Sequence, residues 1–153
     1  MLAVVVIIGV VLTFAVLGIG GDRRGDELAS ESQQFGELLR LASEQAVLRG
    51  EEWAVQIDPE EYRFLIFIED KWELQQDDEL FRARALAKDT ELDLQLEGRD
   101  VVLETSEELK PTLMLLSSGE ISPFSAEFAA DDTELRYQVK TDTKGLIQWE
   151  GLE

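Results

Sequence analysis

The chain has 153 residues, with 33 acidic against 14 basic side chains and a formal net charge of -19. That balance argues against nucleic-acid binding, which needs a basic footprint, and against docking of a soluble part on anionic lipid. Cysteine and histidine are both absent, which removes disulfides, thiolate chemistry, the commonest general base and the commonest transition-metal ligand.

The first predicted element is Leu2–Ile19, eighteen residues without a charge, its apolar side chains interrupted by Thr13 and two glycines. As a helix it is roughly 27 Å long, enough to cross a bilayer core of about 30 Å. A lone segment in lipid must satisfy its own backbone, so it is a helix. Leu2, Val5, Val6, Ile8, Val11, Leu12, Phe14 and Leu17 are the candidate membrane and assembly positions. The run is longer than a signal-peptide core, with no basic residue before it and no A-x-A site after it, so it reads as a retained span. Residues 20–153 carry all the charge, and about 130 residues suffice for one core and not two. Arg23 and Arg24 follow the run. By the positive-inside rule alone they would place the rest of the chain in the cytoplasm.

Gly18, Gly20, Gly21 and Gly25 crowd one window. It reads either as a linker or as a weak point in one long helix, since each glycine costs up to about 1 kcal/mol relative to alanine. Asp26 is a candidate cap for a second helical stretch, with Glu27 in the first turn. Leu28, Phe35, Leu39, Ala42 and Ala46 fall on a 7-4-3-4 spacing with Leu38 alongside. This is one apolar stripe, for packing on the head. Gly50 stops the helix after Arg49. The expectation is a nearly continuous helix from about Leu2 to Arg49. Its first part (1–21) projects and its second (22–50) lies on a head of residues 51–153. Removing residues 1–25 is expected to leave that head folded.

The period then changes to 2. Trp53, Val55 and Ile57 alternate with Ala54, Gln56 and Asp58; Asp58-Pro59-Glu60-Glu61 is a turn; Tyr62–Ile68 returns as a strand buried at its centre. Trp72 and Leu74 sit in a partly ordered loop, and Leu80–Ala87 is ambiguous. Leu92, Leu94 and Leu96 turn through Gly98-Arg99-Asp100 into Val101–Leu103, a second hairpin. Leu113–Leu116 is a strand after Pro111, and Ser117–Glu120 is a turn. Ile121, Phe124 and Phe128 re-enter the core around Pro123. Leu135, Tyr137 and Val139 alternate, and Asp142–Gly145 turns into Leu146, Ile147 and Trp149. The sum is α+β: a long N-terminal helix with a membrane-spanning first half, packed on an antiparallel sheet or β-sandwich of seven or eight strands.

No active site is legible. Asp77-Asp78-Glu79, Glu107-Glu108 and Asp131-Asp132 lack the spacing of a calcium loop. Ser117-Ser118-Gly119 is not a nucleophile elbow, and no histidine exists to serve it. No metal, no cofactor and no catalysis are the expectation.

The opening MLAVVVIIGVVLTFAVL, with Ile7-Ile8-Gly9 inside it, resembles the N-terminal helix of type IV pilins and type II secretion pseudopilins. Leu116–Phe124 is similar to the glycine–proline–phenylalanine loop of the H-class minor pseudopilins, with Ser118, Gly119, Pro123 and Phe124 as its marked positions. Lys144-Gly145-Leu146-Ile147 resembles their closing turn, and Trp72, Leu80–Leu86 and Leu92–Val102 follow in order. The resemblance implies a pilin-like fold and a minor pseudopilin of the bacterial type II secretion system. Such a protein is held in the inner membrane by a single pass with its head in the periplasm. It joins the other minor pseudopilins, the major pseudopilin and the inner-membrane secretion platform, and is assembled at or near the pseudopilus tip. It also implies a basic leader and an F-T-L-I-E-like segment just before Met1, which makes Met1 internal and carries the cytoplasmic charge. The alternatives are a type IV pilus minor pilin and a membrane-anchored periplasmic binding domain.

Overall fold

The computed structural model describes residues 22–153. The predicted span, with its candidate positions from Leu2 to Leu17, lies outside the described residues. Among those described, no helix is long and apolar enough to cross a membrane.

Helix α1 runs Arg23–Arg49. Its cap is Asp22, not the expected Asp26: the Asp22 carboxylate accepts the Gly25 N–H at 2.9 Å and takes a further hydrogen bond from the Thr133 hydroxyl. The Thr133 bond, then the Gly25 bond, hold the Asp22 carboxyl below its ordinary pKa. Asp26 instead lies in the first turn, where its charge suits the helix dipole. Asp22 itself has φ -65° and ψ 85°, so the helix has its own start there, inside the Gly18–Gly25 window that reads as a linker or a weak point. At the other end Gly50 takes the left-handed conformation (φ 63°) and Glu51 donates back to the Ala46 carbonyl at 3.0 Å.

The head has ten strands rather than seven or eight. They are β1 (Trp53–Ile57), β2 (Glu61–Ile68), β3 (Lys71–Leu74), β4 (Arg84–Ala85), β5 (Thr90–Leu96), β6 (Arg99–Val101), β7 (Leu113–Leu115), β8 (Phe124–Ala130), β9 (Arg136–Thr141) and β10 (Ile147–Leu152). One antiparallel sheet runs β3-β2-β1-β7, with β4 also on β2; the second runs β10-β9-β8-β5-β6. The segment around Trp72 and Leu74 is a strand, not a loop: Glu69 and Asp70 both adopt positive φ (50° and 66°). Two such residues make the tight hairpin turn that pairs Ile68 with Lys71 and Phe67 with Trp72. The ambiguous Leu80–Ala87 stretch holds a single 3-10 turn, Glu79–Phe81, followed by β4. The second predicted hairpin is shorter than expected, since β6 ends at Val101 and Val102 is 83% exposed.

β1 does not show the expected alternation, for all five of its residues are buried. Residues 106–110 cross the sheet face opposite the core. Gln56 holds them, donating to the Glu108 carbonyl at 3.0 Å and accepting the Lys110 N–H at 3.2 Å. Arg63, its cross-strand partner, donates to the Ser106 carbonyl at 2.8 Å. A polar residue on an outer face is thereby buried with its hydrogen bonds made.

Helix α1 lies against β8, β9 and β10 and reaches β1 and β7. Phe35 joins the two sheets: its ring meets Tyr62 edge-on at 5.0 Å and Phe128 at 5.5 Å. The aromatic chain continues through Phe64 and Phe81 to Trp53. The architecture is α+β, one long N-terminal helix on antiparallel sheets.

Candidate functional site

Two features of the head bear on function: the seam that fixes helix to head, and the loop between β7 and β8. Leu28, Phe35, Leu39, Ala42 and Ala46 are all fully buried on that seam. Gly25, Ser32 and Gly36 are buried with them. A methyl at Gly36 would sit 3.3 Å from Val139 Cγ1, and one at Gly25 would collide with the end of the Leu135 side chain. These small residues let the helix approach β9 closely. Ser32 accepts the Trp149 indole N–H at 2.9 Å and donates to the Ala29 carbonyl at 2.9 Å. Reading Gly25 as a weak point missed this, although 25, 28, 32, 36 and 39 continue the same three–four spacing.

The helix start is tied down by charge. Arg24 donates to the Lys88 carbonyl at 2.8 Å and the Thr90 hydroxyl at 2.9 Å, and pairs with Asp132 at 3.2 Å. Its side chain is only 14% exposed. Glu31 accepts the Ala87 N–H at 2.6 Å and the Thr90 hydroxyl at 3.0 Å. Arg24 therefore serves the head rather than a membrane surface, so the positive-inside argument loses one of its two arginines. Arg23, 91% exposed, pairs with Glu27 along the helix. Nothing in the local sequence distinguishes the two; only the tertiary position does.

In the loop, Gly119 has φ 90° and its N–H donates to the Leu116 carbonyl at 2.9 Å, while Leu116 donates to the Glu120 carbonyl at 2.9 Å. An L side chain is strained at that φ, so glycine is required by the turn. Ser118 accepts the Glu120 N–H at 3.4 Å and lies on the surface. The Glu52 carboxylate takes both the N–H and the hydroxyl of Ser117, a clamp that the sequence did not signal. Pro123 precedes β8 and its carbonyl accepts the Glu97 N–H at 2.9 Å. Phe124 is 4% exposed, with its N–H donated to the Thr141 hydroxyl at 3.0 Å. The loop tip faces the end of α1: a methyl at Gly119 would lie 3.7 Å from Val47. Val47 and Leu48 are exposed there at 48% and 78%.

Of the apolar residues in the last two strands and their turns, Ile147 is half-buried, whereas Leu135, Leu146 and Trp149 are exposed. Leu146 is displaced by the turn, where Asp142 accepts its N–H at 2.9 Å. Trp149 lies over Tyr137, ring stacked on ring at 5.5 Å. Among the described residues no three acidic side chains converge as a metal site. The strongest perturbation of a titrating group is burial of Tyr62, which pushes its hydroxyl up to about 12. It lies in the core, among Phe35 and Phe64, and faces no open cleft.

Comparison with known proteins agrees with this architecture. Residues 31–145 match the family model of the type II transport protein GspH. The chain is 32% identical to the type II secretion system protein H of Pseudomonas aeruginosa, over 89% of this chain and 83% of that one. It is 27% identical to its counterpart in Aeromonas hydrophila, over 96% and 87%. A crystal structure of the minor pseudopilin EpsH from the type II secretion system of Vibrio cholerae superposes with a TM-score of 0.70 at 30% identity, covering 81% of this chain and 93% of that one. The solution structure of Escherichia coli GspH, at 16% identity and a TM-score of 0.55, shares the fold.

Proposed function

Since the chain belongs to the GspH family and is a minor pseudopilin of the type II secretion system, a periplasmic, membrane-associated protein, we propose that it works by placement and not by catalysis. Residues 2–19 anchor it as a single pass in the inner membrane with the head in the periplasm. Assembly then draws that segment into the pseudopilus core, at or near the tip, beside the other minor pseudopilins and the major pseudopilin, above the inner-membrane secretion platform.

The observation that carries this reading is the way α1 is fastened. The seam from Gly25 to Ala46 is buried along its length, and Arg24, Glu31 and Asp22 tie the helix start to two separate head segments, 87–90 and 132–133. A head so fixed moves as one body with whatever pulls its N-terminal segment. The acidic surface restricts which heads can sit next to it. Catalysis has no support in the side chains: the chain contains no histidine or cysteine, and Ser118 sits in a turn whose hydrogen bonds serve the backbone.

The test is complementation of a strain lacking the protein, scored for export of type II substrates. Ser118→Ala should export at the wild-type level. Loss of export by a folded, normally abundant Ser118→Ala protein would contradict the non-catalytic reading.

A further inference from the structure

The edges of the two sheets differ. β3 is four residues long and carries Lys71 and Glu73; β4 has two residues; β6 has three, two of them charged. β7 has three, and Ser122 donates to the Met114 carbonyl at 3.3 Å beside it. Short, charged or covered edges are how sheets refuse a further strand. β10 has none of these protections. It is six residues long, Ile147-Gln148-Trp149-Glu150-Gly151-Leu152, without proline or lysine. Its one carboxylate, Glu150, is paired with Lys140 on β9. Among the described residues, β9 alone is its strand neighbour.

The register identifies the open groups. Asp142 donates to the Leu146 carbonyl at 2.8 Å, so in the antiparallel ladder Lys140–Gln148, Gln138–Glu150 and Arg136–Leu152 are the hydrogen-bonded pairs. The N–H and C=O of Ile147, Trp149 and Gly151 point away from β9. From one face the strand is held by the seam: Ile147 borders Gly36, Trp149 binds Ser32, and the Tyr137 ring lies 3.5 Å from where a Gly151 side chain would begin. The strand is thus fixed in place with a full set of main-chain donors and acceptors on its outer side.

The geometry points to β10 as a docking edge that receives an extended strand from a neighbouring pseudopilin head, extending the second sheet. This rests on the reading above that the chain assembles with other pseudopilins. The incoming strand is not from a second copy. Strand pairing brings the two heads into contact, and heads of chains each with a net charge of -19 repel one another, so the partner is a less acidic head.

The test uses the full chain in detergent micelles. The purified heads of the other pseudopilins of the same system are added one at a time, and a second, isotopically distinct copy of the chain is added separately. Residue-resolved hydrogen exchange is the readout. Alone, the amides of Ile147, Trp149 and Gly151 should exchange fast, and those of Gln148, Glu150 and Leu152 slowly. With the cognate head, the first three should slow by about tenfold or more. Gly151→Pro, which removes one outward N–H, should abolish that protection and weaken binding, whereas Gly151→Ala should keep both. Binding that leaves the three amides fast overturns the docking edge while leaving the assembly reading intact. Protection by the second copy overturns the heterologous partner. Failure to bind any pseudopilin head overturns the assembly reading as well.

Discussion

Phe35→Ala is the substitution that most directly probes how helix and head are joined. The ring is fully buried and touches one aromatic from each sheet, Tyr62 and Phe128. A phenylalanine buries about 150–200 Å², which at about 25 cal/mol/Å² is about 4–5 kcal/mol. Measured phenylalanine-to-alanine changes in cores cost about 3–5 kcal/mol. The edge-on contact with Tyr62 accounts for about 0.5–1.5 kcal/mol beyond area. Against a domain stability of about 5–15 kcal/mol, the variant should lose about a fifth or more of its stability, and its Tm should fall by about 10–20 °C. Urea unfolding of the full chain in micelles, followed by tryptophan fluorescence, should show a lower midpoint at an unchanged slope. A loss below about 1 kcal/mol in a folded variant would mean that Phe35 does not pin the two sheets, and the seam argument would fail with it.

Two further outcomes are expected. Phe124→Ala, at the start of β8 and 4% exposed, should cost about 3–5 kcal/mol in the same urea experiment, whereas a change at exposed Ser118 should stay within about 0.5 kcal/mol. Tyr62 has a folded-state pKa raised to about 12 by burial, above the unfolded value near 10. Its contribution is fully present below about pH 10 and is lost as pH climbs through 12, on the order of 2–3 kcal/mol in all. Unfolding free energies of wild type and Tyr62→Phe measured from pH 9 to 12 should diverge over that window; parallel curves would show that Tyr62 does not titrate in the core.

The helix stripe and most strands were legible because each carries a period: Leu28 to Ala46 at three to four, Leu92-Leu94-Leu96 and Tyr137-Val139 at two. The turns were legible where chemistry forces them, as at Asp58-Pro59 and Gly119. What escaped was set by partners far away in the chain. Gln56 is buried because residues 106–110 cross it, so its strand lost the predicted exposed face. Trp72 pairs with Phe67 through a turn of Glu69 and Asp70, two residues whose composition suggests a loop. Asp22 outcompetes Asp26 as cap because Thr133, 111 residues on, also binds it. The expected division at 21/22 leaves Asp22, Arg24 and Gly25 with the head. Removing residues 1–25 would take away Asp22, Arg24 and Gly25, all of which the head uses.

The central claim, that the N-terminal segment positions a non-catalytic head, is tested most directly by separating the two. A version lacking residues 2–21, sent to the periplasm by a cleavable signal peptide, keeps Asp22 and every described contact of α1. It should be soluble, unfold cooperatively and reach normal abundance, yet fail to restore export of type II substrates to a strain lacking the protein. Wild-type export by that soluble head would contradict the account, because a head without its anchor could then do the work by itself.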